Sequence, residues 1–242
     1  MARQDLEKRS FEWGGRSFEY SVRRSQRARR ASIHVSWKKG VEVVLPWRAS
    51  ERSVDSFLYE KREWIVQRIA EIEEIKTEIP RRQLVSGAVV PVMDSYLYLK
   101  INVEPGRKKS FAREVEGQIV VRVADVAQVR QVLVHWYRKE AKRVFVDMAD
   151  ELADLIGVRV TNVSIREQAT QWGSCGRGGR LAFNWRLLLA PEKMARYVAA
   201  HEVAHIKQSN HSRAFWETVA FLDPEYKTHR MWLKKNEHRL VL

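Results

Sequence analysis

The sequence predicts an α+β protein whose first half is largely β-structure and whose second half is mostly helical. Short runs of alternating apolar and polar residues, separated by glycine-containing turn signals, occupy much of the first half and are typical of β-hairpins. Two longer stretches, at about residues 50–75 and 125–156, repeat apolar residues with the spacing of an amphipathic helix. The composition shifts near residue 125. We therefore predict a β-rich N-terminal region with one long helix over 1–124 and a second domain over 125–242.

The N-terminal region begins with three runs of strand character between Phe11 and Pro46, namely FEY, SIHVSW and VEVVLP. The spacing then changes, and four apolar residues mark the buried face of the predicted helix: Leu58, Ile65, Ile69 and Ile72. Pro80 marks the end of the helical stretch. The runs LVSGAVVPVM, YLYLKINV and QIVVRVAD return to strand spacing, and no internal repeat is visible.

The second half starts with a long predicted helix that Asp125 is suited to cap and Gly157 to end. Beyond it, VRVTNVSI is predicted as a strand, QWGSCGRGGR as a glycine-rich turn and LAFNWRLLLA as a returning strand. Pro191 suits the first turn of a further helix. The remainder of the chain is predicted to be mostly helical.

The composition indicates a soluble protein of a reducing compartment. Its 242 residues are enough to bury a core without a covalent staple. Cys175 is the only cysteine, so no intramolecular disulfide can form. No apolar run resembles a signal peptide or approaches the roughly 18 residues of a membrane span. We expect a cytoplasmic protein without membrane contact, whose oligomeric state the sequence does not indicate.

The charge of the chain is strongly basic, with 44 Lys and Arg against 30 Asp and Glu and a formal net charge of +14. Part of the excess is concentrated in the run SVRRSQRARRAS. Its arginines are Arg23, Arg24, Arg27, Arg29 and Arg30. Such a run can meet phosphates or an acidic protein surface, or it can be a solvated strand and turn. Contact with nucleic acid through this region is therefore one hypothesis for a partner.

The stretch HEVAHIKQSNH, residues 201–211, carries the most specific chemistry. His201 and His205 are four residues apart, so a helix places them on one face with Cβ atoms about 5–6 Å apart, and both imidazoles can reach one Zn²⁺ ion. Glu202 is rotated from His201 by about 100° and is placed to reach a water molecule instead. In this HExxH spacing the imidazoles hold the cation, and the carboxylate accepts a proton from water that the cation has acidified.

Two residues are candidates for a third metal ligand. His211 follows His205 by six residues, the spacing of a chain that turns sharply after the helix and returns a histidine to the ion. Gln208 stands where the metzincin pattern has a glycine, which disfavours a metzincin proper. Glu225 lies twenty residues after His205 and is the alternative, as a glutamate from a second helix. The spacing favours His211, because polar residues on both sides of it can cap a following helix.

Two segments resemble a known family. REQATQWGSCGRGGRLAFNWRLLLAP and VAAHEVAHIKQSNHSRAFW resemble the YgjP-like metallopeptidases, which are related to the SprT-type zinc proteases. The resemblance is strongest over residues 160–220, and earlier segments extend it to nearly the whole chain. It implies a zincin-like catalytic domain over 125–242, in which a small twisted sheet packs on the HExxH helix. It also implies His201, His205 and His211 as metal ligands and Glu202 as the catalytic carboxylate, while leaving the substrate open.

These observations lead to a zinc-dependent metallopeptidase that acts on a protein or peptide substrate, with Glu202 as general base. One alternative is a nucleic-acid-associated protease recruited by its basic surface. Another is a catalytically inactive binding module whose zinc is structural, in which Cys175 would have to complete the ligand set.

Further residues near the motif are candidates for substrate contact. The LAFNW strand is expected at a sheet edge, where a peptide can be added as another strand. Asn184 and Trp185 are then candidate pocket residues, and packing beneath the helix is an equal alternative for the tryptophan. Tyr226, His229 and Arg230 are candidates to stabilise an oxyanion.

Overall fold

The computed structural model describes residues 8–36, 39–50, 54–168 and 170–242. The chain divides into two compact units, Met1–Ile79 and Pro80–Leu242. The strands before residue 125 belong to the second unit because their apolar side chains pack against the long helix that follows them. The boundary at residue 125 stays a prediction about domains. None of the helices in the described ranges is long and apolar enough to cross a membrane.

The first unit contains four strands and two helices. They are β1 (Lys8–Trp13), β2 (Arg16–Ser25), β3 (Ser32–Ser36), β4 (Gly40–Pro46), α1 (Val54–Glu60) and α2 (Arg62–Glu78). The sheet order is β1-β2-β4-β3, with β2 and β4 parallel and the outer pairs antiparallel. Trp37, at the end of the predicted run SIHVSW, lies outside the described residues.

Helices α1 and α2 occupy the stretch where the sequence predicts one long helix. Lys61 separates them, with a ψ of 7° that leaves the helical region. Leu58 before the break and Ile65 after it lie in the same core. The apolar spacing continues across a single non-helical residue, so the pattern alone does not reveal the break.

The second unit opens with a sheet that has the topology of the first. Its strands are β5 (Val89–Val92), β6 (Ser95–Val103), β7 (Phe111–Val115) and β8 (Gln118–Val123). They lie in the order β5-β6-β8-β7, again with a parallel central pair and antiparallel outer pairs, and again a helical segment follows the fourth strand. The chain therefore repeats one arrangement of four strands and following helix. The sequence does not show this, because alternation marks strands but not their pairing.

The longest helix, α3 (Val129–Ile156), packs against the second sheet and against the helices of the C-terminal part. Asp125 caps the 3₁₀ turn that leads into it, since its Oδ1 accepts a hydrogen bond from Ala127 N at 2.8 Å. The helix ends at Gly157, whose φ of 66° is a left-handed conformation that glycine adopts without strain. The predicted end at Gly157 is confirmed, whereas Asp125 caps the preceding 3₁₀ turn and α3 itself begins at Val129.

A three-stranded sheet and three helices complete the unit. They are β9 (Asn162–Arg166), β10 (Gly173–Gly176), β11 (Arg180–Asn184), α4 (Glu192–Lys207), α5 (Arg213–Leu222) and α6 (Tyr226–Asn236). The strand order is β10-β11-β9, so β11, which contains the LAFN residues, is central; the prediction of a sheet edge there is wrong. The reason is its parallel pairing with β9, while β10 becomes the edge strand beside α4. The described residues thus form a mixed α+β fold with three small mixed sheets and six helices, which confirms the predicted class at that level.

Candidate metal centre

Helix α4 presents two histidines on one face. It begins after Pro191 and ends at Gln208, whose φ of −133° and ψ of 103° are those of extended backbone. Its alanine and valine side chains are buried in the core, so the helix packs closely against α3. His201 and His205 lie one turn apart, with ring centroids 4.9 Å from each other.

His211 returns to the same point from the loop between α4 and α5. Its Nε2 lies 3.1 Å from Nε2 of His201. One ligand atom from each of the three histidines lies within 4.8 Å of the others. The loop is held by Ser212, whose Oγ accepts a hydrogen bond from Phe215 N and caps α5, and by Asn210, whose Oδ1 accepts from Ser212 N. The helix cap expected beside His211 is therefore present.

The three imidazoles fit one transition-metal ion. Two nitrogens that bind the same tetrahedral Zn²⁺ at about 2.0–2.1 Å lie roughly 3.3 Å apart, and the observed separation of 3.1 Å is close to this. Nδ1 of His205 donates to the backbone oxygen of Gln208 at 3.0 Å, which leaves its Nε2 free to bind. Burial lowers the pKa of His201 to about 4 and also lowers the pKa of His205. Both rings are thus neutral near pH 7, which is the metal-binding form.

A buried aromatic side chain holds these rings in place. The ring centroid of Phe215 lies 4.4 Å from that of His205, 4.9 Å from His201 and 4.8 Å from His211. Trp216 stacks on His211 at 5.7 Å. Phe215 is not among the residues predicted from the sequence. The sequence feature that could have indicated it is its place in the first turn of the next helix, four residues after His211.

Glu202 lies beside the cluster and is only 6% exposed. Burial raises its pKa to about 7. Strand β10 passes close to its side chain: a methyl group on Gly173 would lie 2.6 Å from Cγ of Glu202 and 2.7 Å from Oε1. Glycine therefore leaves the space that the carboxyl group occupies. A carboxyl group with a pKa near neutrality can both accept and release a proton at physiological pH.

Two cavities meet at His201 and Glu202. The smaller, of about 360 Å³, has largely apolar walls that include Trp172, Tyr197 and Leu233. The larger, of about 630 Å³, follows β10 and the glycine-rich turn and includes all three histidines in its lining. The larger cavity therefore gives access to all three histidines, and the smaller one reaches His201 and Glu202.

Four exposed basic side chains line these cavities. Arg230 and Lys234 line the smaller cavity, and Arg159 and Arg177 line the larger one. Within the described part of the chain, none of the four forms an ion pair with a carboxylate, and Glu202 is the acidic residue found in both linings. The approach to the histidines is thus electropositive, which favours anionic groups on a substrate.

The alternative ligand Glu225 lies apart from the cluster. It precedes α6, its side chain is 72% exposed, and its Oε2 lies 3.8 Å from Nε2 of His229. Cys175 is half-buried in β10 and lines the larger cavity, and burial raises the pKa of its thiol. Among the described residues, the ligand atoms that lie together come from the three histidines and include neither Glu225 nor Cys175.

Asn184 is a packing residue, contrary to the prediction that it lines a pocket, and Trp185 is buried as its packing alternative predicts. Asn184 is buried; its Nδ2 donates to the backbone oxygen of Gln168 at 2.9 Å, and its Oδ1 accepts from Arg186 N at 3.2 Å. Trp185 is fully buried against Tyr137, with ring centroids 5.6 Å apart. The central position of β11 in its sheet explains the burial of Asn184, whereas Trp185 begins the 3₁₀ turn that follows the strand.

The three candidates for oxyanion contact lie in different surroundings. Arg230 lines the smaller cavity beside Glu202. Tyr226 stacks on Trp216 at 5.3 Å. His229 is buried, with its Nδ1 2.8 Å from Oδ2 of Asp223. Arg230 is the one of these three that lines the cavities described above.

An HExxH helix whose two histidines lie beside a third histidine and a buried glutamate is the arrangement of metal-dependent hydrolases. Residues 29–236 match the family model described as "YgjP-like, metallopeptidase domain". The chain therefore belongs to the YgjP-like family, which confirms the resemblance seen in the sequence.

Two further similarities are more limited in extent. The chain is 35% identical over 48 residues to the UTP pyrophosphatase of Escherichia coli (strain K12), which is 18% of this chain and 29% of that relative. The chain thus matches less than a third of the length of this curated protein. A solved structure, the metallopeptidase zymogen of Pyrococcus abyssi abylysin, is 25% identical with a TM-score of 0.35 and covers 40% of this chain and 99% of its own.

Proposed function

We propose that the chain is a zinc-dependent metallopeptidase that hydrolyses peptide bonds, with His201, His205 and His211 as metal ligands and Glu202 as general base. The observation that carries the proposal is the grouping of three imidazoles within 4.8 Å, beside a buried carboxyl group on the same HExxH helix. Three protein ligands leave a coordination position open, as in catalytic rather than structural zinc sites. The packing of α4 against the small sheet of β9, β10 and β11 supports a zincin-like arrangement.

Glu202 is the group that moves the proton in this reaction. When bound, a zinc ion acts as a Lewis acid that makes water more acidic and polarises a carbonyl oxygen. Glu202 accepts the proton of the attacking water and passes it to the leaving amine. Its pKa of about 7 suits both steps, because little free energy separates its two protonation states near neutral pH.

Strand β10 is the surface on which we place a peptide substrate. It is the edge strand of its sheet in the described residues, and Gly173 on it lies against Glu202. An extended peptide that adds to this edge by main-chain hydrogen bonds lies over the carboxyl group. The smaller cavity then accepts a substrate side chain, and Arg230 is within the same lining to contact a developing oxyanion.

The test combines metal content with hydrolysis of a fluorogenic peptide library. Glu202→Gln is expected to keep about one zinc per chain and to lose activity by a factor of about 10³ or more. His211→Ala is expected to lose the metal, whereas the matched Glu225→Gln keeps it. Full hydrolysis by Glu202→Gln would refute the proposed base. Metal loss only in Glu225→Gln would move the third ligand to α6, and bound zinc without any hydrolysis would favour the inactive binding module.

A second candidate reaction is hydrolysis of a phosphoanhydride bond in a nucleoside triphosphate. The specific observation is the set of four exposed basic side chains around the cluster, and the similarity to the Escherichia coli UTP pyrophosphatase supports the same chemistry. Guanidinium groups bind phosphate oxygens bidentately. Incubation with UTP and with peptides, followed by phosphate and peptide analysis, separates the two reactions. Release of pyrophosphate that Arg177→Gln and Glu202→Gln both abolish would favour this candidate.

A further inference from the structure

One end of the first sheet brings together a basic loop and an exposed tryptophan. Strands β2 and β4 are parallel, so their carboxyl ends lie at the same edge. The connection from β2 to β3, residues 26–31, crosses this end of β4, because β4 lies between the two strands in the sheet. Arg24 links the two segments: its Nη1 donates to the backbone oxygens of Trp47 at 3.0 Å and Ala49 at 2.8 Å.

We call this region the sheet-end surface. It is defined by five exposed residues: Arg27, Arg29, Arg30, Trp47 and Arg48. In the ranges that the structure describes, none of its four arginines pairs with a carboxylate, whereas the neighbouring Arg23 contacts Glu42 at 3.4 Å. Trp47 is 50% exposed. Four arginines and an accessible indole ring at the same end of the sheet form a surface that is both strongly positive and able to stack.

We propose that the sheet-end surface binds single-stranded nucleic acid, with the arginines on successive phosphates and a base stacked on Trp47. A single strand offers both of the groups that the surface fits, namely regularly spaced negative charges and flat rings. A duplex keeps its base faces stacked inside and offers phosphates and groove edges, so Trp47 has no free base to stack on. An acidic protein face satisfies the arginines, but carboxylate side chains do not themselves supply a flat ring for the indole.

This proposal uses none of the residues of the histidine cluster and does not depend on the function proposed for it. Its residues all belong to the first unit, whereas the histidines belong to the second. Binding is therefore measured on the full chain with a chelator present, which prevents hydrolysis by a metal centre from changing the probe.

The experiment measures fluorescence anisotropy of a labelled oligothymidylate of about 20 nucleotides, long enough to cover a binding site of this kind. Trp47→Ala is expected to weaken binding about tenfold. Its matched control is Trp64→Ala in α2, which removes an indole ring that is 44% exposed elsewhere in the first unit. Changing Arg27, Arg29 and Arg30 together to Gln is expected to reduce the slope of log affinity against log salt by about 2. The matched control neutralises the same number of charges in another turn: Arg107, Lys108 and Lys109 to Gln.

Three results would overturn the proposal. The first is that Trp47→Ala and the triple arginine variant bind the oligothymidylate with wild-type affinity, or that their control variants lose as much affinity as they do. The second is a duplex of the same length binding as tightly as the single strand, with no effect of Trp47→Ala, because the surface would then contact phosphates only. The third is competition by polyglutamate at equal charge concentration as effective as competition by unlabelled oligothymidylate, which would indicate a general polyanion surface. Circular dichroism of each variant verifies that the fold is kept.

Discussion

Replacing Glu202 by glutamine is expected to stabilise the metal-free chain at alkaline pH and to leave its stability unchanged in acid. Burial raises the pKa of Glu202 from 4.5 to about 7. The folded state therefore favours the neutral carboxyl group, whose contribution to stability is complete below about pH 4.5 and is lost as the pH rises through 7. A pKa difference of about 2.5 corresponds to roughly 3 kcal/mol lost by the wild type at alkaline pH. Glutamine has nearly the same shape and no charge, so the variant avoids this loss.

Urea unfolding of chelator-treated protein at about pH 5 and about pH 8 measures the effect. We expect the two free energies of unfolding to differ by less than about 1 kcal/mol at the lower pH, and the variant to be more stable by about 3 kcal/mol at the higher pH. Glu225→Gln is the control, because that carboxylate is 72% exposed and removing its charge relieves no burial. A Glu202→Gln chain that is no more stable than the wild type at about pH 8 would refute the reasoning. It would mean that the ionised carboxylate is hydrated or has a partner.

Two further changes test how the site is held. Gly173→Ala is expected to lower the turnover number at least about tenfold with unchanged metal content, because its methyl group needs the space of the Glu202 side chain. Gly176→Ala is the control, since a methyl group there has ordinary contacts at 3.5 Å. Equal losses of turnover in the two variants would contradict the steric argument. Phe215→Leu is expected to weaken metal binding about 10- to 100-fold by freeing the imidazoles, as measured by competition with a chromogenic chelator. Phe221→Leu is the control, because Phe221 is exposed in the same helix and its change should leave metal affinity unaltered. Unchanged metal affinity in Phe215→Leu would show that the Phe215 ring does not position the three histidines.

The parts of the site that depend on local geometry are predictable from the sequence. His201, Glu202 and His205 have a fixed angular relation once the segment is helical, and the alanine and valine spacing around them specifies the buried face. The position of His211 is harder to predict, because it depends on where the chain leaves the helix. Ser212 provides that signal, because a cap for α5 defines where the second helix begins.

The parts that depend on contacts between distant segments are not predictable in this way. Strand β11 carries three consecutive apolar residues in RLAFN, a short run that does not say which strands lie beside it, and its central position follows from its parallel pairing with β9. Phe215 reads as one of several core aromatics, and its contact with all three imidazoles exists only after α5 has folded against α4. The repeated four-stranded topology is invisible for the same reason, since alternation carries no information on which strands pair.

The distribution of positive charge around the histidines also depends on contacts between distant segments, and it bears directly on the choice of substrate. The run at residues 23–30 is visible in the sequence, but the four basic side chains around the histidines are Arg159, Arg177, Arg230 and Lys234, which are scattered along the chain and meet only in the fold. Metal-assisted hydrolysis acts on amide and on phosphoanhydride bonds alike, so a three-histidine cluster beside a carboxyl group does not by itself separate the two reactions. The positive charge around the histidines does separate them, because it lowers the free energy of a bound anionic substrate and leaves that of a neutral peptide nearly unchanged. A neutral peptide that is cleaved as fast as an acidic one at low salt would therefore show that these four cations do not select the substrate.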